Sequence, residues 1–362
     1  MLRIGFIGAG FIADYHAAAV QALGAGRLAW VVDADRRRAE SLQRKWGFGR
    51  AGASASELLA ERRPDVVHVL VPPSLHARMA EAALDAGAHV LVEKPLAASW
   101  HEGQSLVALA RKRRLVAAVN HNALFHPAFV ALVRRIRRGD LGAVEHVIAS
   151  WNMPLPQLDA RQYDNWMLAG PLNIVLEQAV HPLSQVQFLL GEFRQVSAQA
   201  AAGRLLPTGA RFVDRWSVSI EAERGTAQCH LGFGRSFCDH WLHVTGEDGA
   251  AFADLRRNTL RVTTKGRFVE AADDLVDGWR SGASLAWSAT AGFAAYAGTF
   301  LKLCRRRDPF YVSMEASIGA FYRALATGAE PPATAAFGAR LVRACEAMAA
   351  ASAAEPLLVE TP

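Results

Sequence analysis

The stretch Leu2-Arg3-Ile4-Gly5-Phe6-Ile7-Gly8-Ala9-Gly10-Phe11-Ile12-Ala13 decides the fold of the first third of the chain. Leu2–Ile7 is a short apolar run of strand type, Gly8 to Ala13 is a G-x-G-x-x-A turn, and Ile12–Leu23 carries a helical pattern. In a strand–turn–helix unit the first glycine permits the tight turn, and the second lets the backbone approach a pyrophosphate. A small third residue allows close helix–strand packing. The pyrophosphate then rests on the helix N-terminus, where unpaired N–H groups face it. Asp33 ends the next strand at about the ~20-residue interval at which an acid meets the adenosine ribose hydroxyls. Gly8, Gly10, Phe11, Ile12 and Asp33 are thus expected to hold a dinucleotide. Asp33 repels a 2′-phosphate, which favours NAD. Arg36, Arg37 and Arg38 keep NADP open, since an arginine this near accommodates that phosphate, although a solvated helix face is the commoner place for such residues.

Outward from this turn, short β-branched runs alternate with helical patterns as far as residue 121, the signature of a doubly wound parallel sheet. The strands expected are Leu2–Ile7, Leu28–Val32, Val66–Val71, His89–Val92 and Leu115–Val119. The helices between them are Ile12–Leu23, Arg36–Trp46, Ser56–Glu61, Leu75–Ala86 and His101–Arg113. Val66 to Val71 is nearly continuous apolar, as a strand covered on both faces requires. After Asn120 the rhythm changes. A helix over Ala128–Arg138 leads to an extended run, Val144–Trp151, then to a loop rich in Pro and aromatic residues, then to a buried helix over Leu172–Leu190. From Val196 to about Val269 the residues alternate in strand fashion, which predicts a large, mostly antiparallel sheet. Helices return over Leu285–Leu303, Met314–Ala326 and Ala335–Ala351. The 362 residues suit two domains at about 100–200 residues each, divided here as 1–121 and 122–362: an α/β domain followed by an α+β domain.

The composition is globular: 51% hydrophobic and 20% charged residues exclude a disordered chain. No apolar stretch reaches the ~18 residues of a membrane span, and the N-terminus has no signal-peptide pattern, so a cytoplasmic chain is expected. Cys229, Cys238, Cys304 and Cys345 have no metal or redox spacing and read as reduced packing residues. The net charge of +6 gathers in clusters such as Arg111-Lys112-Arg113-Arg114, Arg134-Arg135 with Arg137-Arg138, and Arg305-Arg306-Arg307. Each lies on a solvated helix face or near a helix C-terminus, where cations suit the dipole. No aromatic-interleaved basic stripe accompanies them, so no nucleic-acid partner is expected.

Two further segments end strands: Val69-Leu70-Val71-Pro72-Pro73-Ser74-Leu75-His76 and Val90-Leu91-Val92-Glu93-Lys94-Pro95. The carboxyl ends of parallel strands face the ligand crevice, so Pro72, His76, Glu93 and Lys94 are expected to point toward the cofactor. Pro95 pushes Lys94 out of helical conformation and can hold a cis bond. A lysine in a partly buried crevice beside a cationic nicotinamide has its pKa drawn down toward a useful range. The loop Trp151–Trp166, with Tyr163, Asp164, Asn165 and Trp166, mixes flat apolar faces with polar groups, as a small-molecule or sugar site does.

The combination of Gly8-x-Gly10-x-x-Ala13, Asp33, Pro72 to His76, Glu93-Lys94-Pro95 and a later helix bearing His181 resembles the Gfo/Idh/MocA family: glucose–fructose oxidoreductase, inositol dehydrogenase and relatives. The resemblance implies an N-terminal Rossmann domain and a C-terminal domain whose open sheet forms a homodimer or homotetramer interface. It implies that Asn120 and His121 touch nicotinamide or substrate. It also implies that Glu177 and His181 stand where the family carries an Asp-x-x-x-His pair, with His181 as general acid/base, Glu177 as its positioning partner and Lys94 on the reacting oxygen. Three departures stand out. Glu177 replaces Asp and so moves the carboxylate by roughly 1 Å, and Pro171-Leu172-Asn173 replaces a glycine-rich stretch, with Asn173 as a possible polar contact to substrate. Pro182 follows His181 and threatens the i, i+4 geometry. The implied activity is hydride transfer to or from a sugar, cyclitol or related polyhydroxylated ring. A less polar carbonyl or imine, a non-catalytic sensor on the same scaffold and a redox-assisted glycosidase remain the alternatives.

Overall fold

The computed structural model describes residues 1–62, 64–201, 203–266, 269–301 and 306–352. It contains two compact units, the first formed by Met1–Asn122 with Ser313–Arg343 and the second by Ala123–Val312 with the segment from Ala344 onward. The expected division at 121/122 therefore needs correction, because part of the C-terminal segment belongs to the first unit.

In the first unit the elements are β1 (Leu2–Ile7), α1 (Phe11–Leu23), β2 (Gly26–Val32), α2 (Arg36–Trp46), β3 (Arg50–Gly52), α3 (Ala55–Arg62), β4 (Val66–Val69), α4 (His76–Asp85), β5 (His89–Val92), α5 (Trp100–Arg113) and β6 (Ala117–Val119). The six strands pair in the order β3-β2-β1-β4-β5-β6, every neighbouring pair parallel. Successive side chains point to opposite faces, so the sheet supports two cores. One packs Ile7, Val67, Val69, Val90 and Val92 against Ala80, Leu84 and Leu106. The other packs Ile4, Phe6, Val31, Val66 and Leu91 against Ala17, Val20 and Leu42. Because a parallel sheet must be covered on both faces, the C-terminal segment completes each core: Ile318, Phe321 and Tyr322 enter the second, Ala335 and Ala339 the first. The backbone follows, with Val119 N donating to Ala333 O at 2.9 Å.

The second unit begins with α6 (Pro127–Arg137), β7 (Val144–Met153), α7 (Pro156–Asp159), α8 (Pro171–Ile174) and α9 (Val180–Leu190). Strands β8 (Phe193–Ala200), β9 (Arg204–Leu205), β10 (Arg211–Phe212), β11 (Arg215–Ala222), β12 (Gly225–Phe233), β13 (Asp239–Gly246), β14 (Gly249–Asp254) and β15 (Thr259–Thr264) follow. Seven of these strands form one sheet in the order β15-β14-β13-β7-β12-β11-β8, antiparallel except where β12 runs parallel to β7. β11 alternates strictly between exposed and buried positions, the pattern of a sheet with one open face. Helix α10 (Glu270–Phe300) extends the expected helix N-terminally through Asp273, Asp274 and Asp277, whose run of acids has no apolar period to read; Leu303 lies outside the described residues. The chain closes with α11 (Pro309–Thr327) and α12 (Ala335–Ala351), separated at Gly328, which takes a left-handed φ of 72°.

Basic residues fill the last turns of α5 and α6, and two of them pair locally, Arg113 with Asp85 at 2.7 Å and Arg135 with Asp140 at 2.5 Å. Among the described residues no helix is long and apolar enough to cross a membrane. Ile318 is fully buried in the second core of the first unit, so Ile318→Ala is expected to cost about 2–5 kcal/mol. The check is urea denaturation of the first unit, followed by the fluorescence of its tryptophans; a change below about 1 kcal/mol would return α11 to the second unit.

Candidate functional site

Apart from His76, which opens α4, the expected cofactor residues of the first unit lie at the carboxyl ends of its parallel strands. Gly8 to Ile12 follow β1, Asp33 follows β2, Pro72 follows β4, Glu93 and Lys94 follow β5, and Asn120 and His121 follow β6. Gly8 has φ 110°, and a Cβ there would meet Leu70 O at 2.4 Å, so only glycine fits the turn. Gly10 differs: a Cβ on it would meet no protein atom within 4 Å. Gly10 also caps α1 without a side-chain hydrogen bond; Ala13 N donates to Gly10 O at 3.0 Å, and the helix N-terminus lies beneath that open space. That is the cradle a pyrophosphate requires. Asp33 is tied to this turn: its Oδ2 accepts from Ala9 N at 2.8 Å and its Oδ1 from Asp35 N at 2.9 Å. Arg36 pairs with Glu40 at 2.8 Å and Arg38 with Asp35 at 3.8 Å, both on the exposed face of α2.

The Lys94–Pro95 peptide is cis. Before it, the buried Glu93 accepts from Asn120 Nδ2 at 2.6 Å and from His16 Nε2 at 2.8 Å on Oε1, and from Lys94 N at 3.2 Å on Oε2. Burial pushes the Glu93 carboxyl up, but the bonds from His16 and Asn120 outweigh it and hold the group below its ordinary value. The ring nitrogens of the buried His76 lie 2.6 Å from Pro95 O and 2.8 Å from Val71 O, between the turn after β5 and the segment after β4; burial lowers the ring's pKa, so its one N–H bonds one of these carbonyls. Asn120 Oδ1 and both nitrogens of His121 are buried with no partner among the described residues. Burial drives the His121 imidazole down to about 3; a neutral ring with unspent hydrogen-bonding atoms beside Asn120 is poised for a ligand.

In the second unit, Glu177 and His181 lie on a helical stretch with an irregular centre. α8 runs into a π-helical turn, Val175–Ala179, which contains Glu177, and α9 then carries His181 and Pro182. The widened turn answers the expected kink, since Pro182 has no N–H to give and its ring would crowd the carbonyl four residues back in an α-helix. His181 stacks on Trp151, ring centroids 5.2 Å apart at 19°. His240 stacks on Trp151 as well, at 3.9 Å and 4°. The Trp151 indole donates to Gln178 Oε1 at 3.5 Å. Trp166 and Asn173 lie, half-buried, on a short 3-10 turn and on α8 respectively.

His240, stacked on Trp151, has His126 as an electrostatic neighbour; neither stands out in the sequence beyond the place of His240 in the alternating run His240 to Thr245. Burial holds His126 down to about 4, helped by His240, and burial lowers His240 to about 4 as well.

Two family models match the chain. Residues 2–121 match the description "Oxidoreductase family, NAD-binding Rossmann fold" of GFO_IDH_MocA, and residues 129–252 match the GFO/IDH/MocA C-terminal domain. The chain is 33% identical over 211 residues to dTDP-3,4-didehydro-2,6-dideoxy-alpha-D-glucose 3-reductase of Streptomyces violaceoruber, a match spanning 57% of this chain and 59% of that reductase. It is 27% identical over 267 residues to UDP-N-acetylglucosamine 3-dehydrogenase of Acidithiobacillus ferrooxidans, covering 73% of this chain and 78% of the relative. Among solved structures, levoglucosan dehydrogenase in complex with NADH and levoglucosan superposes with a TM-score of 0.78 at 18% identity, over 97% of each chain.

Two outcomes are expected. Gly10→Ala should leave thermal stability nearly unchanged, because no atom of the described residues lies within 4 Å of the new Cβ, yet weaken NADH binding in a fluorescence titration by about 10-fold or more; unaltered affinity would place the pyrophosphate elsewhere. His126 and His240 have folded pKa values near 4 against an ordinary 6.5. The unfolded state therefore binds more protons between those values, and stability rises with pH across that window. The urea midpoint of the second unit should fall as pH drops from about 6.5 toward about 4, and a flat profile would contradict the burial of these rings.

Proposed function

Because the chain belongs to the Gfo/Idh/MocA family of NAD-binding oxidoreductases, we propose that it moves hydride between nicotinamide and a carbinol or carbonyl carbon of a sugar, cyclitol or related polyhydroxylated ring. The observation that carries this reading is the turn Glu93-Lys94-Pro95, standing at the same carboxyl end of the sheet as the glycine turn and Asp33. The sugar-acting names of the relatives support the substrate class.

Bound nicotinamide supplies the hydride-accepting or hydride-donating carbon; the chain's own groups handle the oxygen and its proton. Lys94 hydrogen-bonds the reacting oxygen and stabilises negative charge on it. His181, its ring plane set by the Trp151 stack, takes the hydroxyl proton in oxidation and returns it in reduction. Glu177 orients His181 or holds a second substrate hydroxyl, and His121, Asn173 and Trp166 contact substrate. Asp33 takes the ribose hydroxyls of NAD. We assign the protein to a reducing, cytoplasmic compartment, a reading supported by the free thiols of Cys229, Cys238 and Cys345, and to a homo-oligomer formed through the open sheet face. Cys304 lies outside the described residues.

The experiment is turnover of free sugars, cyclitols and nucleotide-linked sugars with NAD or NADH, alongside separate NADH and NADPH titrations. Lys94→Ala is expected to abolish turnover while NADH still binds. A variant with near-normal rate would remove Lys94 from the mechanism. Tight dinucleotide binding without turnover on any such substrate would favour a sensor.

A further inference from the structure

Behind the Glu93-Lys94-Pro95 turn a line of polar side chains runs through the interior of the first unit. The Tyr322 hydroxyl on α11 lies 2.7 Å from His68 Nε2 on β4. His68 Nδ1 lies 2.8 Å from His16 Nδ1 on α1, and His16 Nε2 lies 2.8 Å from Glu93 Oε1. Both histidines are 0% exposed, Tyr322 8% and Glu93 9%. A histidine between Val67 and Val69 on a strand covered on both faces is costly unless each ring nitrogen is bonded. Here each one is.

The donors can be assigned in order. A carboxylate only accepts, so His16 Nε2 donates to Glu93. With a single N–H on His16, its Nδ1 accepts and His68 Nδ1 donates; an N–H on both nitrogens of His16 would reverse that bond. His68 Nε2 then accepts, and its donor is the Tyr322 hydroxyl. The opposite polarity, with one N–H on each ring, would need a proton on Glu93, since the Tyr322 hydroxyl accepts as readily as it donates. Hydrogen bonds from His16 and Asn120 hold the Glu93 carboxyl below its ordinary value and burial keeps the His68 ring neutral, which favours the direction from Tyr322 to Glu93. Phe6, paired with His68 across the sheet, stacks on its ring at 4.8 Å and 16° and holds its plane.

We propose that Tyr322, His68 and His16 are positioning residues for Lys94. They lock His16 in its Nε2–H tautomer and thereby immobilise the ionised Glu93, whose other oxygen accepts from Lys94 N and fixes the turn that carries the lysine. Lys94's part in turnover rests on the hydride-transfer reading above; the tautomer assignment does not.

The test uses the full chain with ¹⁵N-labelled histidine. Ring nitrogen shifts in the unaltered protein should report Nε2–H for His16 and Nδ1–H for His68, with His16→Gln and His68→Gln assigning the signals. Tyr322→Phe removes one oxygen and keeps the ring. It should mix the tautomers of both histidines and lower kcat about 10-fold, as loss of an orienting partner typically does, with KM and NADH affinity within about twofold. In His16→Gln the amide donates to Glu93 directly, so adding Tyr322→Phe to that variant should cost nothing further.

Additive losses would overturn the proposal, as would Nδ1–H at His16 in the unaltered protein. A Tyr322→Phe enzyme with unchanged kcat per NADH-binding site would reduce the chain to a structural role and overturn it too. If the unaltered protein turns over no sugar, the hydride-transfer reading fails while the ring shifts still decide the chain.

Discussion

A carboxylate shut away from water is the constraint around which the first unit is arranged. Glu93 is 9% exposed and ends β5, and an ionised group so placed survives only where several donors replace its lost hydration. Those donors come from elements far apart in sequence: His16 from α1, Asn120 from the end of β6, and the Lys94 N–H of its own turn. α1 also begins at the glycine turn. Satisfying one buried charge therefore sets the relative placement of the glycine turn, the Lys94 turn and the Asn120–His121 segment. A neutral or smaller residue at position 93 would release all three.

The second unit solves a different problem, that of keeping a histidine side chain in one orientation on a helix interrupted by proline. The π-helical turn at Val175–Ala179 absorbs the missing N–H of Pro182. The Trp151 indole, itself backed by His240 on its other partner contact and anchored to Gln178, gives the His181 ring a flat surface. The three departures from the family pattern thus fall on one continuous helical stretch, Pro171 to Leu190, whose backbone departs from regular α geometry where Glu177 lies.

Local signals were legible wherever local physics decides structure. Leu2–Ile7, His89–Val92, Arg36–Trp46 and Ala335–Ala351 were read with the bounds the structure has, because their apolar period, caps or glycine breaks lie within the segment itself. β3 was missed, since Arg50-Ala51-Gly52 is a three-residue edge strand without an apolar run. The fold class followed from the βαβ rhythm, whereas the placement of 313–343 in the first unit did not, because nothing local in Ile318 or Phe321 says which sheet face lacks cover. For the same reason the glycine turn and Lys94 were readable as chemistry, while the His16, His68 and Tyr322 chain was not. Its bonded neighbours are separated by up to 254 residues, and the one local hint was a histidine inside Val66-Val67-His68-Val69.

The choice of cofactor shows how geometry resolves an ambiguity of composition. Asp33 and the cluster Arg36-Arg37-Arg38 argue in opposite directions when read as a string, an acid against a 2′-phosphate and three bases in its favour. In the structure Asp33 is fixed by two backbone N–H groups, one of them from the glycine turn itself, so the carboxylate belongs to the same rigid frame as the pyrophosphate cradle. Arg36 and Arg38 instead face Glu40 and Asp35 on the solvent side of α2. Such exposed pairs contribute little to stability, but they show where the side chains rest. An acid held in the frame, with Arg36 and Arg38 turned along their own helix, suits a ribose diol better than a 2′-phosphate, a distinction that a count of charges does not make.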